Sequence, residues 1–148
     1  MLLFGCYFPC NGSSKNSTDA VTKILGYIDS VISINPGFRL CILGDLNFVC
    51  TSNNIGFCAF NDFVSSLNVV SCDDLISESS YTYCHLSLNQ KSFLDHVFNT
   101  YDLKQHIQHF AIIDDDLNTS DHLPVAFCLA MRKESAVTTD KPVGISAT

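Results

Sequence analysis

"RLCILGDLNF", residues 39–48, holds two patterns in ten positions. Residues 38–43 form an apolar run short enough to be a strand buried on both faces. Gly44 then frees the backbone, and Asp45, Leu46 and Asn47 follow. A buried strand is a rigid support, and side chains at its tip are held where a ligand can reach them. Taken alone, Gly, Asp and Asn are also ordinary turn formers. The decision rests on what the rest of the chain brings to the same end.

Outward from this stretch the sequence reads as alternating elements. Residues 2–8 form a strand, followed by "PCNGSSKNS", a loop rich in turn formers. Residues 18–33 place Val21, Ile24, Leu25, Ile28 and Ile32 at spacings of three and four, which predicts an amphipathic helix. Ser17 or Thr18 is expected to cap it, and "NPG" at 35–37 to end it. A short helix is expected over 59–67, and a loop over "SCDDLISESS". Strands over 81–84 and 93–98 flank "LSLNQK", which predicts an antiparallel pair. A short helix or turn at 103–109 precedes strands at 110–113 and 123–131. Residues 132–148 lose periodicity and read as a disordered tail, leaving one domain over 1–131.

Composition limits the function classes. The chain has 148 residues, 47% of them hydrophobic, and a net charge of −7. An acidic balance does not suit a free-standing nucleic-acid binder, but it suits carboxylates gathered around a cation. No apolar run reaches the roughly 20 residues of a membrane helix. Residues 1–8 lack the basic start and the length of a signal peptide. The eight cysteines include no C-x-x-C pair, and Cys41 and Cys128 fall in apolar strand-like runs as small hydrophobes. An even count also admits an extracellular disulfide framework; without a leader, a reduced intracellular protein is the expectation.

Four polar clusters share one placement, the end of a strand-like run. They are Tyr7, then Asp45 with Asn47, then Asp95 in "SFLDHVF", then Asp121 with His122 in "TSDHLPVAF". Phosphate-ester hydrolysis needs such a set. A hard divalent cation neutralises the anionic substrate, a carboxylate-paired histidine moves or stabilises a proton, and amide and phenol groups hold phosphate oxygens. His106 with His109, the run Asp114–Asp116, and His85 and His96 have the plainer reading of solvated surface.

"CYFPC", "GDLN", "YTYCHLSLNQKSFLDHVF" and "TSDHLPVAF" together resemble, in order and spacing, the motifs of the endonuclease/exonuclease/phosphatase (DNase I-like) family, most of all the endonuclease domains of non-LTR retrotransposons. The resemblance implies an α/β fold, a four-layer α/β/β/α sandwich. It implies divalent-metal-dependent phosphodiester hydrolysis with Mg²⁺ or Mn²⁺, DNA as substrate, a reverse transcriptase domain in a full-length parent, and a nuclear location if the chain derives from a retroelement. A non-catalytic relic or binding module, or a small-molecule phosphatase, are the alternatives within the fold. By position, Tyr7 would contact the scissile phosphate. Asp45 would activate water or handle the leaving-group proton. Asn47 would hydrogen-bond the phosphate and orient Asp45. Asp95 would pair with His122, and His122 would polarise the phosphate. Asp121 would lie close to the metal. Thr82 and Ser92 would support, and Ser120 would act as a local hydrogen-bond donor.

One family feature has no counterpart. The resemblance implies N-terminal strands bearing an Asn and the principal metal-binding Glu, whereas this sequence starts at the Tyr-x-Pro strand. Its only glutamates are Glu78, in a loop, and Glu134, in the tail. The expectation is a partial sandwich lacking its N-terminal strands, with open strand edges and an uncovered apolar face, weak or absent metal binding, and no activity by itself. Either a gene-model artefact or a true remnant accounts for that.

Overall fold

The computed structural model describes residues 1–10, 15–50, 54–76 and 81–130. The expected tail at 132–148 lies outside them, as do Glu78 and Glu134. Strand β1 (Leu2–Tyr7), helix α1 (Lys15–Ser33) and strand β2 (Leu40–Asp45) form a strand–helix–strand unit with β1 and β2 parallel. After helix α2 (Ile55–Ser66) and strand β3 (Val69–Ser71) come a 3₁₀ turn at Asp73–Leu75 and the strands β4 (Tyr83–His85) and β5 (Gln90–Ser92). Strand β6 (Asp95–Thr100), helix α3 (Tyr101–Lys104), and strands β7 (Ile107–Ile112) and β8 (Val125–Leu129) complete the order. The main sheet runs β1-β2-β6-β3, while β4 pairs β5 and β7 pairs β8 in separate ribbons.

Side-chain alternation sets the layers. On β2, Leu40 and Ile42 join a core with Val21 and Leu25 of α1 and Phe60 and Val64 of α2. The residues between them, Cys41 and Leu43, join a second core with Val97, Phe110, Val125 and Phe127, under the β7–β8 ribbon. This double burial is why the 40–43 run is apolar without alternation. Phe8, Phe48, Phe60 and Phe98 tie the helical core together, with ring centroids 4.8–6.1 Å apart. The outer edge of β1 has no partner strand among the described residues, and Leu3 on it is exposed.

Several local expectations are corrected. The 81–84 and 93–98 runs do not pair with each other. The hairpin closes within the linker, with Tyr83 opposite Ser92 and Asn89 in a left-handed conformation (φ 48°) that permits the tight reversal. The later run, freed from the hairpin, enters the main sheet between β2 and β3. Val69–Ser71 is therefore a strand and not a lead into a loop. Helix α1 begins at Lys15, so Ser17 and Thr18 lie inside it, and the Ser17 hydroxyl donates to Cys10 O at 3.3 Å. Helix α2 starts four residues early because the Asn54 side chain accepts the Gly56 N–H at 2.7 Å and caps it. Cys41 is buried as expected, whereas Cys128 is on the exposed face of β8. All eight cysteines are free thiols here.

Candidate active site

The register of the main sheet builds one row across three strands. Tyr7 pairs with Asp45, and Asp45 with Asp95, so the ends of β1, β2 and β6 meet side by side. Neighbours in a row point to the same face. That face carries Leu43 and Val97 towards the β7–β8 ribbon. Asp121 and His122 arrive from the ribbon side, in the loop before β8, where Cys84 N–H donates to Asp121 O and Leu123 N–H to Thr82 O. His122 thus hangs over the row from the second layer.

The contacts are specific. His122 Nδ1 lies 2.8 Å from Asp95 Oδ2 and donates to it, since a carboxylate only accepts. This leaves Nε2 facing Asp45 Oδ2 at 3.8 Å. Asp45 accepts the Asn47 backbone N–H at 3.0 Å and its side-chain amide at 3.1 Å. Asn47 sits at φ 51°, a left-handed turn that asparagine tolerates. Its Nδ2 also donates to Phe8 O at 2.7 Å, and Cys10 Sγ lies 3.2 Å from its Oδ1. Both amide hydrogens are committed, so a bond from Asn47 to a phosphate requires one of them to be released. Tyr7 stands free at 67% exposure. Asp121 is exposed, and its charge helps to raise the pKa of His122.

Burial raises the Asp45 pKa, and the neighbouring Asp95 charge adds to it, against the Asn47 hydrogen bonds. For His122, burial favours the neutral ring, but the hydrogen bond and charge of Asp95, with Asp45 and Asp121, outweigh it and raise the pKa. A partly buried carboxylate pair with an imidazole between them is a proton-handling arrangement. Beside it, between the two sheets, opens a cavity of about 380 Å³ with Asp95, Asn118, Ser120 and His122 among its lining and Leu43, Val97 and Phe127 as apolar walls.

Of the groups that support His122 and Asp95, Tyr83 and Asn118 were not evident from sequence, whereas Ser120 and Thr82 were. The Tyr83 ring packs on His122 at 5.0 Å between centroids. Asn118 donates to His122 O at 2.8 Å. Ser120, expected as a donor, instead accepts the His122 backbone N–H at 3.0 Å. Thr82, fully buried, accepts the N–H groups of both Leu94 and Asp95 at 2.9 Å. It fixes the start of β6, and with it the Asp95 carboxylate. Thr82→Val keeps the shape and leaves both donors without that acceptor. Chemical denaturation should show a loss of about 2–3 kcal/mol.

Asp45, Asp95 and Asp121 supply hard oxygens, yet no three ligand atoms of these residues and His122 converge. Both Asp45 oxygens and one of Asp95 are already engaged. The described residues therefore do not make a closed Mg²⁺ site, although one or two carboxylates completed by water and substrate phosphate are enough for a weak one.

His96, read from sequence as solvated surface, is instead buried at 2% exposure on the opposite face of β6. Its Nδ1 lies 2.8 Å from Asp73 Oδ2. Burial would lower its pKa; Asp73 and Cys50 overcome that and push it up to about 10. A histidine raised above its unfolded value of about 6.5 stabilises the fold fully below that pH, and the contribution fades as pH rises through about 10. With chelator present, stability should fall between pH 7 and 9.5, and Asp73→Asn should flatten that slope in urea titrations.

No family model matches the sequence, and no curated protein does. Solved structures do match. The endonuclease domain of TRAS1, a telomere-specific non-LTR retrotransposon, is 21% identical with a TM-score of 0.63, over 76% of this chain and 53% of that one. An AP endonuclease from Archaeoglobus fulgidus is 15% identical with a TM-score of 0.66, over 87% and 61%. A 3′ phosphatase, NExo from Neisseria, bound to product DNA hairpin, is 12% identical with a TM-score of 0.65, over 87% and 61%. The chain has the mixed α/β, DNase I-like fold of these structures. It spans 53–61% of the length of these neighbours. No described helix is long and apolar enough to cross a membrane.

Proposed function

We propose that this site serves divalent-metal-dependent phosphodiester hydrolysis on DNA, of the retrotransposon-endonuclease kind, and that these 148 residues need a further metal-binding carboxylate to turn over. The observation that carries the reading is His122 set between Asp95 and Asp45, at 2.8 and 3.8 Å, at the end of a three-strand row. Nuclease and phosphatase neighbours of the same fold support it. Asp95 accepts the Nδ1–H of His122 and its charge favours the protonated ring, whose Nε2–H donates to a phosphate oxygen. Asp45, its pKa raised, takes a proton from water or returns one to the leaving oxygen. Asn47 orients Asp45, and Tyr7 hydrogen-bonds the phosphate from the exposed side. When bound beside Asp121, Mg²⁺ (or Mn²⁺) supplies the charge neutralisation that three aspartates cannot. A reverse transcriptase domain in a longer parent protein belongs to the same reading.

The lack of three converging ligand atoms at this site favours a second reading, a non-catalytic module of the same fold. Plasmid nicking with Mg²⁺ separates the two. The 148-residue chain alone should nick weakly or not at all. A fusion supplying the Glu-bearing N-terminal strands of a retrotransposon endonuclease domain should nick. A folded fusion that leaves plasmid intact would establish the second reading, and release of phosphate from small esters without nicking would point to a phosphatase.

A further inference from the structure

The β6 face away from the row holds a second cluster of polar groups. Cys50 Sγ, Asp73 Oδ2 and His96 Nδ1 form a triangle with sides of 2.8 Å (N to O), 3.5 Å (N to S) and 3.8 Å (S to O). Three ligands around tetrahedral zinc, at bond lengths of about 2.0–2.3 Å, stand roughly 3.3–3.6 Å apart. The observed triangle is within about half an ångström of that.

The surroundings are those of a ligand set. His96 Nε2 lies 2.8 Å from Phe48 O, which directs the Nδ1 lone pair into the triangle once that nitrogen is deprotonated. The ring is stacked on Phe48 at 5.4 Å and packed on Phe93 at 5.2 Å, so its orientation is set by packing. Asp73 Oδ1 is buried with no hydrogen-bond partner among the described residues. A cation held by both oxygens of Asp73 satisfies that orphan and gains a fourth donor. A Cys–His–Asp nucleophile would place thiol and carboxylate on different ring nitrogens; here both lie at Nδ1 and the other nitrogen is tied to a carbonyl.

We propose that Cys50, Asp73 and His96 bind one Zn²⁺ as a structural tie beneath the candidate active site. A thiolate and an imidazole select zinc over magnesium. The metal forms bonds to S, N and O, and the protons on Sγ and Nδ1 leave to solvent. The ion joins three segments distant in sequence: the loop after β2, the turn after β3, and β6. Asn47 lies three residues before Cys50, and Asp95 is adjacent to His96. Occupancy therefore stiffens the two strand ends that carry the row.

The test uses the whole chain, stripped with chelator and titrated with Co²⁺ and then Zn²⁺. We expect one ion per chain by elemental analysis, the sulfur-to-cobalt charge-transfer absorption of a thiolate ligand, and a melting temperature higher by roughly 5–10 °C at a hundredfold excess of zinc over its Kd. Cys50→Ser should remove the charge-transfer band and weaken binding roughly a hundredfold. Cys10→Ser and His122→Ala should leave both unchanged, since the first is a separate exposed thiol and the second lies on the other face. Asp73→Asn provides a second test if the serine variant melts poorly. Failure of folded wild type to retain an ion, or a charge-transfer band that survives Cys50→Ser, overturns the proposal. Neither outcome touches the hydrolytic reading.

Discussion

Gly44→Ala should fail to fold, or lose upwards of about 4 kcal/mol, a large part of a small domain's stability. A Cβ at Gly44 would lie 2.1 Å from Cys6 O and 3.1 Å from Cys6 C and N. Those are backbone atoms of the paired strand and cannot swing away. The residue also sits at φ 131°, where an L side chain is strained. The clash falls one position before Asp45, so relief would come only by parting β1 from β2 at the tip that bears the row. Gly5→Ala is the control. It lies in the same strand pair, opposite Leu43, with open space where its Cβ would go. Its melting temperature should stay within a few degrees of wild type. Equal losses in the two variants would show that steric closeness at Gly44 is not what shapes the turn.

His122→Ala in the nicking-competent fusion should lower the rate at saturating Mg²⁺ by roughly a hundred- to ten-thousandfold, the usual range for a lost general acid–base or phosphate-polarising group. Stability should change little, because the side chain is about one-third exposed and its partner Asp95 remains anchored through the Thr82 contacts to the β6 backbone. Asp95→Asn tests the pairing separately. An amide keeps the shape but removes the charge that favours the protonated ring, so His122 no longer holds an N–H on both nitrogens as readily, and most of the loss should recur without loss of fold. Nicking that survives His122→Ala within threefold would remove the proposed centre. The pH profile adds a check. Asp95 raises the His122 pKa, so the limb that depends on a protonated His122 should extend to higher pH than an unpaired imidazole would allow, and Asp95→Asn should draw it back.

The zinc proposal and the catalytic proposal meet at β6, where consecutive residues serve opposite faces. Asp95 looks to the ribbon side and His96 to the helical side. Strand alternation makes this unavoidable. A metal on one face can therefore steady the other without touching substrate.

Among the described residues the outer edge of β1 has no partner strand, and with exposed Leu3 and Tyr7 this has consequences for handling. Unpaired edge N–H and C=O groups beside apolar side chains invite pairing with other chains. The eight free thiols call for reducing conditions in every experiment above.

Local sequence determined the strand–helix–strand opening, because periodicity of burial is written in adjacent residues: Val21, Leu25 and Ile28 on one helix stripe, and an apolar 40–43 run where both faces are covered. It also determined which side chains stand at strand ends, since Gly44 and the polar residues after it interrupt the apolar pattern. Tertiary structure alone decided which strands are neighbours. The 93–98 run carries no local mark of preferring β2 and β3 to the nearer 81–84 run, because strand pairing is fixed by total burial across the sheet and by turn closure, here at Asn89. The same holds for Cys50, Asp73 and His96. Separated by 23 residues at each step, they have no ligand spacing to read, and only the packing of three segments against one face of β6 brings their S, O and N atoms to a common point.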